Sequence, residues 1–222
     1  MGQLFLVRHG QASLGADDYD QLSPLGIQQS QRLGAHWHAL GLRFDAVITG
    51  SLKRHAQTYE GIQASGLQKQ TALVWPGLNE YDSEAVIQAV HPGPLVKPTT
   101  PQGYKQHFRQ LRTGLMAWMN GDVTPQGMPA FADFQAGVVS ALDHVRQHFD
   151  GNVLLVSSGG PIAVAVAHVL GMDAVNTIAL NLRLRNSAVS EFHFNSRRHH
   201  VVSFNGLPHL ETPEHQGWIT YA

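Results

Sequence analysis

Three short aliphatic runs, Gln3 to Val7, Asp45 to Thr49 and Asn152 to Ser157, constrain the fold of this chain more than any other feature. Each is rich in Val, Leu and Ile and too short for a helix. Each leads through a polar or glycine-bearing turn into a helical pattern. Runs without polar alternation read as strands buried on both faces, which is the situation of parallel strands joined by helical crossovers. The expected fold is therefore α/β, three layers deep, with a mainly parallel central sheet between helices.

The helical patterns are specific enough to place. Leu33, Trp37 and Leu40 mark one face of a helix beginning near Ser23, with Pro24 suited to its first turn. Ser51 stands where it would cap the helix carrying Arg54 and Tyr59. Pro161 to Leu170 is apolar nearly all round and should be a buried helix closed by Gly171. Tyr104, Phe108, Leu111, Leu115 and Trp118 recur at helical spacing, as do Phe131, Phe134, Val138, Leu142, Val145 and Phe149. A further strand is expected at Leu73 to Trp75. Ser187 to Phe194 and His200 to Phe204 read as a hairpin turned near Asn195, whose exposed edge could pair across a homodimer. The segment from Asn79 to Pro101 holds four prolines and few core signals, so it reads as a mobile excursion. No repeat or charged linker divides the chain, and 1–222 is expected to be a single domain with a lid around 79–128.

Composition removes several functions. A formal net charge of −1 gives no bulk attraction to nucleic acid or anionic membranes, so neither is an expected partner. Zero cysteines exclude disulfides, thiolate metal sites and a cysteine nucleophile, and fit a cytoplasmic protein. The apolar run Leu4 to Val7 is too short for a signal peptide, no stretch is long enough to span a bilayer, and Leu6 occupies the position where myristoylation requires Ser or Thr. Among the 14 histidines, His144 and His148 have metal-ligand spacing but no acidic or third ligand beside them. They read as surface helix residues, and no metal is expected.

Chemistry concentrates at the carboxyl ends of the strands, where open α/β sheets bind ligands. Arg8, His9 and Gly10 follow the first strand. Arg54 lies in the first turn of the helix after the second. The turn Ser157-Ser158-Gly159-Gly160 ends the third and opens another helix. Guanidinium groups suit phosphate because their planar fork bonds two oxygens and keeps its charge, while amides freed at Gly159 and Gly160 add an anion-binding edge.

The stretch LVRHGQAS resembles the Arg-His-Gly signature of the histidine phosphatases, a family that includes the phosphoglycerate mutases. The resemblance continues through Leu22-Ser23-Pro24-Leu25-Gly26 and Gln29, Ser51-Leu52-Lys53-Arg54 and Thr58, Leu78-Asn79-Glu80, and Val156 to Ile162. It covers most of the chain in the right order. It implies a phosphoglycerate mutase-like fold and phosphomonoester hydrolysis through a phosphohistidine with no metal or organic cofactor; because no docking feature stands out, a small phosphorylated metabolite is the expected substrate. His9 would be the nucleophile and Arg8 and Arg54 the clamp on the phosphoryl oxygens, with Ser158 and Gly159 beside them. Glu80 would be the general acid and base.

Two positions depart from the family. A second histidine commonly stands where this chain has Ser158, and serine brings no positive charge. Exchanging a charged for a neutral hydrogen bond costs about 1–2 kcal/mol, or roughly ten- to thirty-fold in rate. His55 could lean in as a substitute, although a neighbour at a helix start more often faces solvent. Gly15 replaces an Asn that sugar-phosphate mutases carry, and Lys53, Lys97 and Lys105 are too scattered to hold a bisphosphate. Both facts weaken a mutase assignment. Two rivals remain: a phosphate-ligand binding module, and a serine hydrolase with Ser158 as nucleophile. The hydrolase elbow needs Gly where this chain has Val156. Trp75, Tyr81 and Phe108 could face either core or ligand.

Overall fold

The computed structural model describes residues 1–13, 20–94 and 98–221; Gly15, Lys97 and part of the expected lid lie outside them. Strands β1 (Gly2–Arg8), β2 (Ala46–Thr49), β3 (Leu73–Val74), β4 (Asn152–Ser157), β5 (Val189–Phe194) and β6 (His199–Gly206) form one sheet in the order β3-β2-β4-β1-β5-β6. The first four strands in that order are parallel; β5 is antiparallel to β1, and β6 is antiparallel to β5. Mixed layers of this kind follow from the unalternated apolar runs. Leu4, Leu6, Val153 and Leu155 pack on one face with helices α5 (Phe131–His148) and α6 (Gly159–Leu170). Phe5, Val7, Leu154 and Val156 pack on the other with α1 (Pro24–Ala39) and α2 (Lys53–Ala64).

The register sets the site. Val156 of β4 lies opposite both Val7 of β1 and Thr49 of β2. Residues following these three strands therefore emerge at one level of the sheet. The loop after β1 is pressed against the start of α1, where Ser23 caps the helix by accepting from the Gly26 amide. A Cβ at Gly10 would lie 2.3 Å from the Gly26 carbonyl oxygen, and one at Gly26 would lie 2.1 Å from that of Gln11. Gly26→Ala must push these backbones apart, at a cost of about 1–3 kcal/mol. In a chain of this size the expected fall in Tm is roughly 2–12 °C by calorimetry; an unchanged Tm would show that the contact yields freely.

Four sequence expectations require correction. Leu40 is 68% exposed because α1 ends at Ala39 and the chain turns there. Ser51 does not cap α2: the cap position is Leu52, and the Ser51 hydroxyl accepts from Asn79 Nδ2 at 2.7 Å. The Lys53 amide at that helix start instead donates to Asp20 Oδ2 at 2.9 Å. Helix α4 (Pro101–Met119) buries Leu111, Leu115 and Trp118, yet leaves Tyr104 and Phe108 exposed, because the covering cluster reaches only its second half. The region after Asn79 also holds more core than its composition suggests. Asp82 caps a short α3 (Ser83–Gln88), whose Val86 and Ile87 are fully buried in that cluster. Gly114 allows the close approach, since a Cβ there would lie 2.4 Å from the Val86 carbonyl oxygen.

Candidate active site

His9 leaves β1 with its backbone held on both sides: its amide donates to the Ser157 carbonyl at 2.9 Å, and its carbonyl accepts from the Ser187 amide at 3.2 Å. The side chain is 4% exposed. Its Nδ1 lies 2.7 Å from the Gly10 carbonyl oxygen. A carbonyl can only accept, so Nδ1 carries the proton and Nε2 carries the lone pair. Arg54 Nε donates to that Nε2 at 3.2 Å, as the assignment requires. Burial, then Arg8, Arg54 and His55, push the His9 pKa well below its ordinary value. The ring is thus neutral at neutral pH, with the nitrogen that carries the lone pair fixed.

Helix α2 presents Arg54 on the turn it shares with Thr58. Thr58 Oγ1 donates to the Arg54 carbonyl at 2.7 Å and accepts from the Gly10 amide at 3.1 Å, tying the helix to the His9 loop. The Arg54 guanidinium is 2.7 Å from Asp20 Oδ1. Arg8 Nη1 donates to the carbonyls of Leu184 and, at 2.5 Å, Tyr221. The segment leading to Tyr221 is itself held by Gln29, which donates to the Trp218 carbonyl at 2.7 Å.

Glu80 enters from the loop beyond β3. That loop is secured to β4 where Ser157 Oγ donates to the Leu78 carbonyl at 2.7 Å. Glu80 Oε1 accepts from the Gly160 amide at 3.0 Å, in the first turn of α6. Burial raises its pKa; Arg8, Arg54 and the amides of Gly160 and Tyr81 pull the other way without cancelling it. A Cβ at Gly159 would lie 2.9 Å from Asn181 Oδ1 and 3.7 Å from both Arg8 Nε and Glu80 Oε2, so this glycine leaves room for all three side chains around the start of α6. Tyr81 and Asn181 form the adjoining wall, with Asn181 Nδ2 donating to the Tyr81 hydroxyl at 2.7 Å.

The structure thus brings Arg8, His9, Arg54, Glu80, Ser158 and Gly159 to one end of the sheet. His55 is the main surprise. It is fully buried rather than turned to solvent, with Nε2 2.7 Å from Ser158 Oγ and its ring centroid 5.8 Å from that of His9. A signal was present: His55, Tyr59 and Ile62 share the i, i+4, i+7 stripe by which α2 packs on the sheet. Asp20 and Asn181 carried no such signal. Of the aromatic candidates, only Tyr81 borders the site. Trp75 donates to Ser140 on α5, and Phe108 is exposed. His144 and His148 stack at 4.2 Å, with His148 Nδ1 donating to the His144 carbonyl, and no group of three potential metal ligands occurs among the described residues.

The family model for the histidine phosphatase superfamily (branch 1) matches residues 4–206. Among solved structures, the chain is similar to a phosphoserine phosphatase from Entamoeba histolytica, with a TM-score of 0.67 and 20% identity over 95% of this chain and 100% of that one. It is similar also to a putative alpha-ribazole-5'-P phosphatase from Escherichia coli, at 0.65 and 21% over 93% and 97%. A mycobacterial glucosyl-3-phosphoglycerate phosphatase gives 0.63 and 22% over 93% and 100%. No curated protein matches the chain by sequence.

Proposed function

The chain belongs to the histidine phosphatase superfamily, and from that premise we propose that it hydrolyses phosphomonoesters through a phosphohistidine on His9. The observation that carries this reading is the state of His9: Nδ1–H held by the Gly10 carbonyl, and an unprotonated Nε2 that accepts from Arg54 Nε. In the first step Nε2 forms a bond to phosphorus as the ester oxygen leaves, and Glu80 gives that oxygen its proton. In the second, water attacks phosphorus, Glu80 takes the water's proton, and the P–N bond breaks to release phosphate. Arg8 and Arg54 offset the charge on the equatorial oxygens, and the α6 amides at Gly159 and Gly160 border the same space.

A small phosphorylated metabolite is the substrate class, a view supported by the three similar phosphatases, whose names specify phosphoserine, alpha-ribazole phosphate and glucosyl-3-phosphoglycerate. No metal or organic cofactor has a role in these steps.

The test is acid-quench trapping of labelled phosphoryl on wild type and His9→Ala, in the presence of chelator. An acid-labile label is expected on wild type alone. No label from any of several phosphomonoesters, in a protein that still binds inorganic phosphate, would replace this reading with a phosphate-binding module.

A further inference from the structure

Ser158 occupies the cap position of α6, but its hydroxyl makes no capping bond to the helix. A serine cap is ordinarily worth about 1 kcal/mol, so something else engages the side chain. That partner is His55 Nε2, 2.7 Å away, with both residues fully buried. The histidine fits because β2 is followed by glycine: a Cβ at Gly50 would lie 2.2 Å from His55 Nδ1.

The direction of the Ser158–His55 bond follows from the other ring nitrogen. Among the described residues, His55 Nδ1 is buried with no hydrogen-bond partner. A protonated Nδ1 would be an orphaned buried donor, whereas an unprotonated one is an acceptor left empty, the milder of the two states. The proton therefore sits on Nε2, and Nε2–H donates to Ser158 Oγ. Having accepted from the ring, the Ser158 hydroxyl keeps its own proton for another acceptor. Burial and the neighbouring Arg54 hold the His55 pKa at about 3, so the ring stays neutral and does not replace the missing cation.

We propose that His55 is a positioning residue of the phosphate pocket, donating to Ser158 Oγ so that the Ser158 hydroxyl proton is presented to a phosphoryl oxygen. The proposal rests on the phosphoryl-transfer reading above. In this arrangement the histidine expected at position 158 has moved to a neighbouring element and acts through serine. The hydroxyl is preset when the phosphoryl group arrives, so the hydrogen bond forms without reorganisation.

The experiment is a double-mutant cycle read in p-nitrophenyl phosphate hydrolysis and in the affinity for inorganic phosphate. The proteins are wild type, Ser158→Ala, His55→Phe, the double variant, and His55→Gln, whose amide reaches the Nε2 position. Each single removal is expected to lower kcat by about tenfold with little change in KM. The double variant should fall no further than the worse single, and His55→Gln should recover most of the loss. Additive losses, about a hundredfold in the double variant, would overturn the proposal, as would a glutamine no better than phenylalanine. If His55→Phe does not fold, His55→Asn, whose amide stops near Nδ1, takes its place and should not recover activity. An inactive wild type would remove the phosphatase reading alone. The same cycle in phosphate affinity would then decide: a non-additive loss retains the proposal, and equal affinity across all five proteins overturns it.

Discussion

Glu80→Gln is expected to lower turnover of alkyl phosphates by about a hundred- to ten-thousandfold, since glutamine can neither give nor take the proton. The more telling outcome depends on the leaving group. p-Nitrophenolate departs without protonation, so His9 should still be phosphorylated from that substrate while the activation of water fails. Phosphohistidine should then accumulate in the variant and be trapped by acid in larger amounts than in wild type. Burial raises the Glu80 pKa, which extends the protonated form toward neutral pH. With alkyl phosphates, wild-type kcat/KM should fall as pH rises through that pKa, and this limb should disappear in Glu80→Gln. A variant within threefold of wild type on alkyl phosphates would remove Glu80 from the mechanism.

Acid should unfold the protein earlier than its carboxylates alone would dictate. His55 and His209 are buried, which above all other causes lowers both to about pKa 3, against 6.5 unfolded. Above about pH 6.5 neither state binds these protons and stability is independent of them. Below it the unfolded chain is protonated and the folded chain is not, so each histidine removes about 1.4 kcal/mol per pH unit until pH nears 3. Between pH 6.5 and 5 that is about 2 kcal/mol each, a large part of a typical total of 5–15 kcal/mol. His209 has no part in the proposed chemistry itself, with Nε2 2.9 Å from the Oγ of Ser187, whose amide supports the His9 carbonyl. Urea midpoints at pH 7 and 5 for wild type and His209→Gln provide the check. The variant should lose about 2 kcal/mol less on acidification, and an identical loss would refute the account.

The strands and the convergence of Arg8, His9 and Arg54 were legible because a doubly buried strand has no polar alternation and because the ends of such strands share one edge. Each is a local property of the sequence. What was missed depends on contacts between distant segments. Asp20 reaches the start of α2, and Asn181 reaches Tyr81 across 100 residues, without any local pattern to announce them. Ser51 was a plausible cap by type, but the Asn79 side chain engages its hydroxyl first. His55 differs: its stripe with Tyr59 and Ile62 is readable, but a residue at a helix start more often faces solvent, and that general tendency gives the wrong side here. In the region after Asn79 the prolines obscured Val86 and Ile87, whose partners lie on α4 and α7 (Ala174–Asn181).

The place of β4 between β1 and β2 has a consequence for how the molecule comes into being. β1 and β2 do not pair with each other; each pairs with β4, which begins at Asn152. During synthesis at about 5–20 residues per second, the two earlier strands wait roughly five to thirty seconds for the one that joins them. Over that interval β1 has no sheet partner and β2 has only the two-residue β3, a natural target for chaperones, and His9 and Arg54 have no shared sheet to bring them together. The candidate site therefore cannot begin to assemble before β4, the strand whose end carries Ser158, has been made.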